Sequence, residues 1–217
     1  MPRPTHPLGL AAVLDIETTG FSLRYDEIIE LAITLFRYDP VTGHVLEIIT
    51  ECSGLREPSC PIPKCAEQIH GITRRTVRGL RLDYRQIRAV AGKADFIVAH
   101  CAQFDRGFVQ RLMPSFRKVA WLCSQDGIDW WAKGFESRSL GDLAAAHGIE
   151  NPSPHRAGGD AATLLKLLAY RPPRRKPYLY ELLRKAGLIK SRRPKKLSRR
   201  RTGAARTATS RRLALRH

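Results

Sequence analysis

Four carboxylates and a histidine fall into three separated clusters: Asp15 and Glu17 in VLDIETTG, Asp105 in VAHCAQFDRGF, and His155 with Asp160 in HRAGGDAATLL. Carboxylate oxygens are the ligands that hard divalent cations of the Mg2+ or Mn2+ type take. Two such ions roughly 3.5 to 4 Å apart can activate a water on one side of a phosphate and stabilise the oxygen departing on the other. Histidine titrates near neutrality, which suits His155 to act as general base for that water. Brought together, these residues could hydrolyse a phosphodiester bond.

The elements that must position them can be read from the flanking pattern. LAAVLDIE is a short buried strand, and strand side chains alternate, so Asp15 and Glu17 share one face while Ile16 points to the core on the other. Two adjacent carboxylates repel unless a cation sits between them. Thr18-Thr19-Gly20 then ends the strand in a turn where backbone and hydroxyls can approach a substrate. Taken alone, this cluster also fits a solvated strand end that carries acids.

In the second cluster the apolar run FIVAH gives way to the amphipathic QFDRGFVQRLM. This predicts a strand leading into a helix, with Asp105 in the first turn, where the helix dipole favours an anion. A capping role alone would explain Asp105 equally well without its partners. His100 reads as a core histidine bonded to backbone. The third cluster follows the loop-forming NPSP and opens DAATLLKLLAY, whose Ala161, Leu164, Leu165 and Leu168 form one apolar face. Asp160 would project from the first turn of that helix, and His155 from a loop that Gly158 and Gly159 make mobile.

In order and spacing the chain resembles the DEDDh exonucleases, the family that includes the proofreading epsilon subunit of bacterial DNA polymerase III and RNase T. The family's Asp-x-Glu-Thr-Thr-Gly stands as Asp15 to Gly20, its Ala-His-Asn-x-x-Phe-Asp as Ala99 to Asp105, and its His-x-x-x-x-Asp as His155 to Asp160. The His-Gly-Ile-Thr segment between the first two motifs is present as His70 to Thr73. The resemblance covers about residues 10 to 170. It implies a 3'-to-5' exonuclease acting on single-stranded ends, DNA favoured, and releasing nucleoside 5'-monophosphates. It further implies Asp15, Glu17, Asp105 and Asp160 as ligands of two Mg2+ or Mn2+ ions, His155 as general base, and Thr18, His70 and Phe104 as contacts to the terminal nucleotide. Two positions depart from the family: Cys101 replaces the usual Asn, removing an amide that could brace the turn before Asp105, and Gly159 loosens the loop before Asp160.

The remaining pattern predicts an α/β domain with a mixed five-stranded sheet, an RNase H-like exonuclease fold. DEIIELAITLFRY and GHVLEIITE, joined by DPVTG, read as an antiparallel hairpin. Residues 66 to 92 read mostly helical, ADFIVAH as a strand, and VAWLC as a short later strand. About 170 residues can bury roughly 70% of the unfolded chain's surface, enough for one domain without staples. The division expected is an exonuclease domain over 1–170 and a basic tail over 171–217.

Charge marks that tail. The whole chain carries a net +18, and residues 171–217 hold 18 Lys or Arg against a single acid, Glu181. RPPRRKP reads as an extended linker, PYLYELLRKAGLIK as one short helix, and SRRPKKLSRRR onward as a disordered segment that would attract phosphate backbones by counterion release. A solubilising tail and, in a eukaryote, a nuclear-import signal are the other readings. Five cysteines without a Cys-x-x-Cys spacing disfavour disulfides and structural zinc and suggest a reducing, cytoplasmic setting. No apolar stretch approaches a membrane span. The expected partners are single-stranded DNA or RNA 3' ends, with a DNA polymerase as a further candidate. Rival functions are an RNA-trimming exoribonuclease and a non-catalytic, polymerase-associated binding subunit.

Overall fold

The structure is a computed structural model that describes residues 6–189. Its centre is β1 (Gly9–Thr18), which pairs antiparallel with β2 (Ile28–Tyr38) and parallel with β4 (Phe96–Ala99). β3 (Val45–Leu55) and β5 (Ala120–Cys123) form the edges, giving the order β3-β2-β1-β4-β5. The sheet is mixed and five-stranded, as the alternation of elements predicts.

Both faces of β1 are covered, which is why its sequence is apolar almost throughout. Ala11 and Val13 pack into one core with Trp130 and Leu164, whereas Ala12, Leu14 and Ile16 pack into a second with Ile87 and Phe108. Helices α1 (Lys64–His70), α2 (Arg74–Val77) and α3 (Tyr84–Ala91) occupy the stretch expected to be helical. They are interrupted where Gly71 adopts φ 69° at the end of α1, a left-handed conformation that glycine takes without a Cβ penalty. After β4 come α4 (Ala102–Leu112), α5 (Ser124–Gly127), α6 (Leu140–Ala146), α7 (Ala157–Ala169) and α8 (Tyr178–Lys185). The β2–β3 connection is the DPVTG turn, in which Asp39 Oδ1 accepts the Val41 N–H at 2.8 Å.

The expected boundary at residue 170 is corrected by α8. Tyr178, Leu179, Leu182 and Leu183 are buried in the same core as Ala161, Leu165 and Leu168 of α7. Tyr178 stacks edge-on against Trp130, 4.9 Å between ring centroids, and its hydroxyl lies 2.9 Å from His147 Nε2. Gly43 of the hairpin turn sits so close to the Tyr180 backbone that a Cβ there would collide with it. The short helix expected in PYLYELLRKAGLIK forms as α8, but its apolar side packs into the domain core instead of standing in a separate tail. The basic run from SRRPKKLSRRR onward lies outside the described residues. Among the described residues no helix is long and apolar enough to cross a membrane.

If α8 is part of the folded body, Leu183→Ala will destabilise the protein by about 2–5 kcal/mol in urea unfolding, as large-to-small core substitutions do. A linker residue would leave the midpoint unchanged.

Candidate active site

Asp15 and Glu17 continue the odd-numbered face of β1, the face that carries Ala11 and Val13 beneath α7. The first turn of α7 supplies Asp160 from above that face. Carboxylate oxygens of Asp15, Glu17 and Asp160 all lie within 4.8 Å of one another. Asp105, from the first turn of α4, is buried, and its charge bears directly on Asp15. The structure thus brings together all four acids picked out in the sequence.

Their electrostatics are those of negative charges forced together. Burial, followed by the charges of Asp105, Asp160 and Glu17, raises Asp15 well above the ordinary carboxylate range. Burial and the Asp160 charge push Glu17 up to about 8. Burial raises Asp105 to about 7, against the lowering effect of backbone N–H groups at Asp105 and Ile16. Asp160 is also raised by burial, although hydrogen bonding to Asn151 pulls it down. Like charges this close, on half-buried carboxylates, match a divalent cation. The all-oxygen donor set suits a hard ion, so the residues fit the metal chemistry their spacing suggests.

The frame around them depends on residues that the sequence pattern did not single out. Glu30 of β2 lies directly across from Glu17 in the strand register and is buried. Arg156 answers it with two charge-assisted bonds, Nε to Oε2 at 3.0 Å and Nη2 to Oε1 at 2.7 Å, and the Ala157 N–H adds a third at 3.0 Å. These bonds fasten the start of α7 to the sheet and so fix where Asp160 projects. Asn151 Nδ2 donates to Asp160 Oδ1 at 2.6 Å. Because Glu30 and Arg156 are 126 positions apart, only the presence of an Arg inside the third motif could have hinted at the pair.

The expected mobile loop around Gly158 and Gly159 is also corrected. Both glycines lie in the first turn of α7. A Cβ on Gly159 would strike the Ser153 carbonyl, so this glycine permits a close approach of backbone to helix instead of loosening the chain. His155, exposed and held at φ 56°, sits beside Asp160, whose ionised form it favours.

Of the residues expected to contact a nucleotide, Thr18 follows Glu17, Phe104 precedes Asp105, and His70 feels the charge of Glu30. The Thr18 hydroxyl donates to the Gly20 carbonyl at 2.7 Å and shapes the turn after β1. His70 is buried; its Nδ1 accepts the Ile72 N–H at 2.9 Å, while its Nε2 has no hydrogen-bond partner among the described residues. A buried polar atom left unpaired is what a binding site presents before a ligand completes it. Phe104 is half-buried against Phe108, 4.9 Å between centroids. Phe21, which the motifs did not mark, is 85% exposed and lies 6.0 Å from Phe104, extending the same apolar wall. His100 is structural: it pairs with Ser124 Oγ at 2.8 Å and the Arg138 carbonyl at 2.7 Å. Cys101 starts α4 without a side-chain capping bond, so the brace expected of an Asn is absent there.

A mixed sheet with acids gathered at the end of its central strand defines the class, and comparison with known proteins agrees. The family model RNase_T, described as an exonuclease, matches residues 12–168, and the chain belongs to this family of DEDDh exonucleases. It is 29% identical over 168 residues to the 3'-5' exonuclease DinG of Staphylococcus saprophyticus, covering 72% of this chain and 17% of that protein. The DinG of Staphylococcus aureus is 28% identical over 174 residues, covering 74% and 18%. The chain therefore spans less than a fifth of the length of these curated relatives. Among solved structures, exonuclease X bound to 5' overhanging duplex DNA superposes with a TM-score of 0.54 at 24% identity, over 82% of this chain and 93% of that one. The zinc-bound complex of Escherichia coli exonuclease I with single-stranded DNA superposes at 0.65 and 19% identity, over 84% and 46%.

The raised carboxylates set a pH dependence. Glu17 and Asp105 hold their protons in the folded chain at pH values where the unfolded chain has lost them, so their ionisation favours unfolding. This contribution to stability is complete below the unfolded carboxylate range and is lost as pH rises through about 7 and 8. Thermal melts in EDTA should show Tm falling over that interval, and Mg2+ or Mn2+ should remove the fall. Glu17→Gln should flatten the profile without metal. Gly159→Ala should cost about 1–3 kcal/mol through overpacking and lower activity by displacing Asp160.

Proposed function

We propose that this chain is a divalent-metal-dependent 3'-to-5' exonuclease that removes nucleoside 5'-monophosphates from single-stranded ends, with DNA favoured over RNA. The observation that carries this reading is the convergence of Asp15, Glu17 and Asp160 within 4.8 Å, beside buried Asp105 and exposed His155. The DNA-bound structures of exonucleases X and I support the preference for DNA. The exonuclease unit runs through α8, and the basic residues after it add sequence-independent attraction to phosphates.

Two ions of the Mg2+ or Mn2+ type would neutralise charge on the phosphate and acidify the attacking water. Asp15, Glu17 and Asp160 would hold them, with Asp105 as a further ligand. His155 accepts the water's proton on an imidazole nitrogen, and its exposure lets the proton pass on to solvent. The unpaired Nε2 of His70 and the Thr18 turn bind the terminal nucleotide, and the rings of Phe104 and Phe21 offer faces on which its base or sugar rests.

A matched assay tests the reading. Single-stranded DNA and RNA of one sequence, labelled at either end, are incubated with Mg2+, Mn2+ or EDTA. Stepwise shortening of the 5'-labelled strand is expected, DNA faster than RNA, and abolished by EDTA and by Asp15→Ala. His155→Ala should lower kcat by a factor of about 100 to 10,000 while oligonucleotide binding persists. Faster RNA shortening would make the chain an exoribonuclease. Absence of metal-dependent shortening on every substrate, with binding retained, would make it a non-catalytic binding subunit.

A further inference from the structure

Just beyond His70 the chain reads RRTVRGLRLDYRQIR, residues 74–88, with six arginines and a single acid, Asp83. Asp83 is already engaged, its carboxylate accepting the Gln86 N–H at 2.9 Å to cap α3. Val77, Leu82 and Ile87 are buried and peg the segment to the body, which turns every one of the arginines outward. Arg74 is committed to the Pro58 and Cys60 carbonyls and to Glu57. The other five make no side-chain hydrogen bond or ion pair with any described residue. A face that serves only solubility mixes the two signs of charge; a one-signed field of this density serves attraction.

The position of this ridge says what it attracts. Arg74 holds the 58–60 loop, and Cys60 Sγ lies 3.4 Å from Thr19 Oγ1, one residue from Thr18. The ridge therefore starts beside the turn that follows β1, and its α3 part continues across the sheet face opposite the acids, where Leu82 and Ile87 pack. Beside it opens a cleft of about 540 Å³, lined in part by Arg81 and the half-buried Tyr84. The acid in that cleft, Glu57, is neutralised by Arg74 at 3.1 Å.

We propose that the arginine ridge over α2 and α3 binds the phosphodiester backbone of the substrate strand beyond its terminal nucleotide. Which strand is held rests on the exonuclease reading, but the binding itself does not require catalysis. Guanidinium groups grip phosphate oxygens through paired N–H donors without reading bases. Longer strands should accordingly bind better than short ones until the ridge is covered.

The test compares the full chain with a variant carrying Arg75, Arg78, Arg81, Arg85 and Arg88 all changed to Gln, and with R85Q/R88Q alone. Binding of fluorescein-labelled dT3 and dT20 is followed by anisotropy in EDTA over a salt series, and hydrolysis of thymidine 5'-monophosphate p-nitrophenyl ester is followed in Mn2+. For dT20 the fivefold variant should weaken binding by about tenfold or more and reduce the salt slope by about 0.7 for each phosphate that is no longer neutralised. The double variant should show part of that effect. Binding of dT3 and turnover of the ester should stay at wild-type values, which also reports an intact fold. Unchanged dT20 affinity and slope would overturn the proposal, as would equal weakening for dT3 and dT20. Loss of binding to phosphatidylserine vesicles with dT20 unaffected would assign the ridge to a membrane surface and overturn it too. If the wild type fails to turn over the ester but the dT20 effect appears, the ridge stands and the exonuclease reading falls.

Discussion

Asp15, Glu17, Asp105 and Asp160 meet at the end of β1, Asp105 buried and the others half-buried, and the other three each make ionisation of Asp15 harder. Glu30 adds a fifth carboxylate directly opposite Glu17. A chain without a use for such a cluster would scatter it, because unpaired buried charge is among the costlier features a fold can carry. Much of the architecture can be understood as a response to this repulsion. Strand β1 is central and covered on both faces, so it holds the first two acids rigidly, and α4 and α7 aim their positive ends at the same point. The repulsion that remains is what a divalent cation relieves.

The Glu30–Arg156 pair solves a different part of the same problem. It converts the carboxylate that has no place in the metal cluster into the anchor of α7, through two guanidinium bonds and one backbone bond. Helix α7 is thereby clamped at its first turn, where Asp160 must be placed, and along its length by the apolar core that α8 completes. Gly159 removes the one Cβ that would hold that turn away from the Ser153 carbonyl.

Charge in the folded body is sorted by sign. Acids turn inward at the strand end, while the arginines of residues 74–88 turn outward from a segment that begins beside the turn that follows β1. The net +5 of residues 6–189 thus understates a strong local field, and it is the local field that acts on a nearby polyanion within a Debye length. The exposed Phe21 beside Phe104 supplies the apolar contact that such a field lacks.

Alternation in LAAVLDIE, the strand-to-helix switch at FIVAHCAQF and the apolar face of DAATLLKLLAY follow from local periodicities of two and 3.6 residues. The sequence by itself therefore determined the central strand, the helix starts that carry Asp105 and Asp160, the mixed sheet and the acids themselves. Tertiary structure alone decided the rest. It set Glu30 across from Glu17 by strand register and joined it to Arg156 over 126 positions. It made Gly159 a packing contact instead of a hinge, and drew Tyr178, Leu179, Leu182 and Leu183 into the core from a stretch that reads as a short helix within a basic tail. Register and distant contacts are set by which surfaces meet when the whole core closes, and no window of neighbouring residues encodes that.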